Sequence, residues 1–71
     1  MKYELGRCLL SERLLEANIN VLELAQTLRY RPERLYDFIE NKRVMPLQVA
    51  LSVADTIGCD VRNLYELTPF E

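Results

Sequence analysis

The stretch NVLELAQTLRYRPERLYDFIEN, residues 20–41, decides how the chain is read. Asn20 is followed three positions on by Glu23, the arrangement of a capping box, in which a short side chain accepts from free N–H groups at a helix start and a carboxylate answers it. The helix opened there runs from Val21 to Leu28 and carries Leu24, Ala25 and Leu28 as a narrow apolar stripe; the small Ala25 lets a neighbouring helix approach closely. Pro32 suits the first turn of the next helix, where its missing N–H would be unpaired anyway. That helix turns Leu35, Phe38 and Ile39 inward and is expected to stop near Asn41, a residue that tolerates the left-handed conformation at a helix end.

Only Arg29-Tyr30-Arg31 join the two, and so short a link makes them cross steeply, as in a helix-turn-helix unit. Towards the N-terminus, periodicity predicts a helix over about Leu5 to Ala17, with Leu10, Leu14 and Ala17 on one stripe. Leu5, Cys8, Leu9 and Leu15 fall largely elsewhere. With Tyr65, Leu67 and Phe70 they are an apolar surplus, open to two readings: a subunit contact, or a surface covered by the N-terminal segment or the tail. Towards the C-terminus, Pro46 opens a helix with Leu47, Ala50, Val53, Ala54 and Ile57 at helical spacing and Gly58 as its stop. Asp60 caps a short fifth helix holding Leu64, and residues 68–71 read as an extended or frayed tail. The expectation is an all-α, compact five-helix fold in one domain, residues 1–71, with its core over about 5–67 and the helix-turn-helix at helices 2 and 3.

The 71 residues bound the possibilities further. A domain this small buries only about 60% of the surface its unfolded chain exposes, so its stability is marginal and a partner subunit helps. Two Gly and three Pro leave little room for disorder, and charged residues break every apolar run well short of a membrane span or secretion signal, so a cytoplasmic protein is expected. Cys8 and Cys59 lack CxxC spacing and the chain has no His, so no metal site is expected and both thiols read as small core residues; with no cofactor constellation and no room for a separate ligand domain, no cofactor or small-molecule ligand is expected either. The net charge of −2 argues against a binder coated in Lys and Arg. Residues 29–43, however, hold five basic and three acidic side chains, whereas the remainder holds four and eight.

In register, Leu24-Ala25, Leu28, Leu35 and Asn41-Lys42-Arg43, then Ala54, Ile57-Gly58-Cys59 and Leu64-Tyr65, resemble the Cro and lambda-repressor-like (Xre) family over about residues 10 to 67. The chain departs from that pattern at Arg29 and Asn41, where the family often has Gly, at Val21, where a phosphate-touching Gln is common, and at Tyr36, where a small residue is usual. The resemblance implies a lambda-repressor-like DNA-binding domain whose third helix, about residues 32–40, enters the major groove of double-stranded DNA. It assigns base contacts to Arg31, Glu33, Arg34, Tyr36 and Asp37, with Arg34 foremost because a guanidinium can donate to both O6 and N7 of guanine. Asp37 would accept from a cytosine amino group, and Tyr36 would pack against a sugar or a thymine methyl. Asn20, Arg29, Asn41, Lys42 and Arg43 are assigned to the phosphate backbone, which fixes register without conveying sequence. A plainer reading has Glu33 and Asp37 in exposed ion pairs with Arg34 or Arg31 on a solvated face.

Two functions follow. The first is a homodimeric, sequence-specific transcriptional regulator of phage-repressor type, bound to half-sites about 34 Å apart. The second is a protein-interaction module of the same fold, binding a toxin or another regulator through the apolar face of helix one. No nucleophile-plus-base pair and no phosphate-cradling glycine loop can be assembled, so an enzyme is not expected.

Overall fold

In a computed structural model, which describes residues 2–70, the described residues begin and end in strands that pair with each other. Strand β1 (Lys2–Cys8) is followed by helices α1 (Leu10–Ala17), α2 (Val21–Leu28), α3 (Pro32–Ile39) and α4 (Leu47–Ile57), a single 3-10 turn (Val61–Leu64) and strand β2 (Tyr65–Phe70). The two strands are antiparallel, with Leu5 opposite Leu67, Glu4 opposite Thr68 and Cys8 opposite Tyr65 across an irregularity between Leu5 and Cys8. Gly6 lies within that irregularity, where a Cβ would come within 2.8 Å of the Glu66 Cβ, so only glycine lets the strands close there.

The all-α, five-helix expectation is therefore corrected: the described residues form a small α+β domain with four α-helices and a two-stranded sheet. The first helix begins at Leu10 rather than Leu5, because residues 2–8 take backbone partners from β2 instead of from the following turn. The fifth helix is one turn of 3-10 geometry, held by the Asp60 carboxylate accepting from the Arg62 N–H at 2.9 Å. Residues 68–70 extend β2, and Glu71 lies outside the described residues.

The middle of the chain lies where its caps place it. Asn20 accepts from the Glu23 N–H at 2.8 Å while the Glu23 carboxylate accepts from the Asn20 N–H at 3.4 Å, completing the capping box. Pro32 is in the first turn of α3, Pro46 precedes α4, and Gly58 ends α4 at φ 79°. One core gathers Leu10 and Leu14, Leu24 and Ala25, Leu35 and Phe38, then Met45, Val49, Ala50, Val53, Ala54, Leu64 and Cys8. Each fully buried Leu or Phe contributes about 1.5–3 kcal/mol relative to exposure, and among the described residues no polar or charged residue is buried with them. On α4 the inward stripe is Val49, Ala50, Val53 and Ala54. Leu47, at helical spacing with that stripe in the sequence, is 71% exposed, and with Leu51 one turn on it forms an outward apolar pair.

Part of the apolar surplus of the N-terminal segment and tail pairs across the sheet, while Phe70 lies opposite Lys2. Leu5 faces Leu67, and Cys8 faces Tyr65, whose hydroxyl accepts from the Met45 N–H at 3.0 Å. The root of the sheet is thereby tied to the segment between α3 and α4. No helix is long and apolar enough to cross a membrane among the described residues.

Candidate nucleic-acid interface

The turn between α2 and α3 is set by one unusual backbone conformation. Arg29 sits at φ 59°, ψ 40°, in the left-handed region, and there the Tyr30 N–H reaches the Ala25 carbonyl at 2.9 Å, closing α2. Arg31 then returns to extended backbone (φ −72°, ψ 137°) as the N-cap of α3, and its carbonyl accepts from the Arg34 N–H at 3.0 Å. A non-glycine residue at positive φ is costly, by about 1–2 kcal/mol. Such strain persists where the surroundings or a function demand it.

Helix α3 docks by Leu35 and Phe38, which places Glu33, Arg34 and Tyr36 in solvent and Asp37 half in it. Beyond the helix, Asn41 adopts φ 63° and turns the chain back, so that the N–H groups of Lys42 and Arg43 both point at the Asp37 carbonyl, at 2.9 and 3.3 Å. This return brings the Arg43 guanidinium to 3.9 Å from the Asp37 carboxylate. Turn, helix and return loop together line an open concavity of about 590 Å³ whose walls are Arg29, Tyr30, Arg31, Glu33, Arg34, Asp37 and Arg43. Four guanidinium groups face two carboxylates there, in a chain whose overall charge is negative.

Six of the residues expected at the site are thus together: Arg29, Arg31, Glu33, Arg34, Asp37 and Arg43. Tyr36 is on the same helix but outside the concavity, 45% exposed. Lys42 pairs with Glu40 at 3.1 Å, and the Glu40 carboxylate holds its ammonium pKa above the ordinary lysine value. Asn41 turns its carboxamide oxygen to the Cys8 N–H at 2.8 Å, and Asn20 is occupied in the capping box at the far end of α2. Glu33 and Asp37 do not pair with Arg34 or Arg31 among the described residues. Asp37 takes Arg43 instead, because the loop after α3 folds back over the last turn of the helix.

Sequence reasoning passed over Tyr30. Its half-buried ring packs on the core and lies 4.8 Å from the Arg34 guanidinium carbon, with Phe38 at 6.0 Å from the same carbon. An aromatic in the turn four residues before an exposed Arg was the signal available. No three His, Cys, Asp or Glu side chains come together as a metal cage requires among the described residues. What the arrangement offers chemically is a set of planar, permanently charged donors suited to phosphate oxygens and base edges.

The chain is similar to the SPbeta prophage-derived uncharacterized HTH-type transcriptional regulator YopS of Bacillus subtilis (strain 168), at 30% identity over 67 residues, 93% of this chain and 90% of that protein. No family model matches the chain.

Proposed function

Because this chain belongs to the HTH-type transcriptional regulators, we propose that it binds double-stranded DNA sequence-specifically in the manner of the Cro and lambda-repressor-like family, with α3 in the major groove. The observation that carries this reading is the convergence of Arg29, Arg31, Arg34 and Arg43 on one open concavity of an otherwise acidic molecule. Arg34 reads guanine, while Arg31, Glu33, Tyr36 and Asp37 supply the remaining contacts to base edges. Arg29, Lys42 and Arg43, with the polar ends of Asn20 and Asn41, follow the sugar-phosphate backbone. The exposed pairs Arg43–Asp37 and Lys42–Glu40 are weak enough in water for both cations to exchange carboxylate for phosphate. A homodimer on a pseudo-palindrome doubles the readout of one short helix, and the protein regulates by occupancy, without chemistry on its ligand.

Selection of bound duplexes from a random pool at stated salt tests the reading. A preferred sequence should emerge, and Arg34→Ala should lower discrimination at one guanine by about 1–3 kcal/mol. Equal recovery of all sequences would refute specific binding; a variant that retained full discrimination would remove Arg34 from the readout. A second reading, docking of a regulatory protein on α1, is favoured by Leu15, which is 83% exposed. Salt separates the two, since several phosphate contacts weaken steeply with ionic strength and an apolar contact does not.

A further inference from the structure

Arg34 is held by an aromatic face, as Arg62 is by Tyr3 at 5.7 Å, but Arg34 alone of the two lies in the concavity. Arg7 commits donors to the Glu12 carboxylate at 2.7 Å, and Arg43 lies in a looser ion pair with Asp37 at 3.9 Å. Arg34 has a ring beside it instead, and no carboxylate or carbonyl accepts from its side chain among the described residues. The difference has a chemical consequence. An acid that oriented Arg34 would take up some of its five N–H donors and restrict which edge can meet guanine O6 and N7, whereas a π-face attracts the cation and leaves every donor free. We infer that Tyr30 is a specificity-determining positioning residue, which presets the Arg34 guanidinium for base readout without competing for its donors.

The ring is itself fixed. The left-handed Arg29 directs the Tyr30 N–H to the Ala25 carbonyl, and the core holds one side of the ring, so the aromatic shelf is part of the turn. Arg34, exposed and with a long flexible stem, otherwise loses rotamer freedom on binding, a cost that prior stacking reduces. The inference rests on the DNA-binding reading above, and two measurements keep their failures apart.

In the DNA-free protein, the side-chain protons of Arg34 should show the upfield ring-current shift of a stacked guanidinium, kept in Tyr30→Phe and lost in Tyr30→Leu. With DNA, Tyr30→Leu should lower the ratio of binding to the selected site over the same site altered at its Arg34-dependent guanine by about two- to fivefold, and Tyr30→Phe should restore it. In an Arg34→Ala background Tyr30→Leu should leave the ratio where it is; a merely structural role would, with Arg34 present, lower binding to both duplexes equally and leave the ratio unchanged there too. Absence of the ring-current shift, an unchanged ratio in Tyr30→Leu, or a fall of the ratio by the same factor in the Arg34→Ala background would overturn the positioning role. A wild-type protein that shows the shift but selects no sequence overturns the DNA-binding reading, and the readout role with it.

Discussion

Replacing Arg29 by glycine is expected to move stability and DNA affinity in opposite directions. At φ 59° the Arg29 Cβ crowds its own backbone, which costs about 1–2 kcal/mol that glycine does not incur. Glycine gives back about 0.4–1 kcal/mol through the greater freedom of its unfolded chain. The Arg29 side chain makes no ion pair among the described residues, so little else is lost. The balance at the middle of these ranges is a gain of about 0.8 kcal/mol, which in a domain of this size raises the melting temperature by roughly 3–6 °C. The same substitution removes one cation from the concavity, so the slope of log affinity against log salt should fall by about 0.9. Arg29→Ala separates the causes: it keeps the crowded Cβ and loses the charge, so it should lose the phosphate contact without gaining stability. Thermal melts and salt-dependent binding of the three proteins suffice. If Arg29→Gly melted at or below the wild type, or if the alanine variant melted as high as the glycine variant, the assignment of strain to this residue would be wrong.

Asn41 has two duties, a positive φ and acceptance of the Cys8 N–H, so Asn41→Ala should cost about 1–2 kcal/mol and speed exchange of the Cys8 amide. Asn41→Gly should recover the conformational part only, leaving that amide fast; if it stayed slow, the hydrogen bond would not be what holds β1 to the end of α3. Burial pushes the pKa of both thiols up, and Cys8 is the more buried. A thiol reagent should therefore modify Cys59 first, faster as pH rises, with Cys8 reacting only at the rate of unfolding; Cys8 reacting first, followed by peptide mass mapping, would contradict the packing of β1 on the core.

Arg29 shows how a departure from a familiar pattern acquires meaning. Where the resembling family often carries glycine, this chain forces an arginine into the same backbone conformation. The turn was legible from the brevity of its link, but the strain and its location beside Arg31, Arg34 and Arg43 were visible only in three dimensions. The site itself was half legible. Positions on α3 follow from a 3.6-residue period once Leu35 and Phe38 are known to face inward. The partners of those positions do not: the loop's return decides that Asp37 meets Arg43, and the turn decides that Arg34 meets Tyr30.

The sequence by itself determined α2, α3 and α4, because their signals are local: Asn20 and Glu23 cap one another, Pro32 and Pro46 suit helix starts, and Gly58 supplies a left-handed stop. Only the tertiary structure decided that Leu5 and Cys8 belong to a strand and that Leu67 and Tyr65 complete it. Their partners lie about sixty residues apart along the chain, and an apolar run next to a true helix has the same composition whichever way its backbone hydrogen bonds turn. A backbone group finds its partner by proximity in space, and for a strand that proximity is created by the packed helices between its two halves.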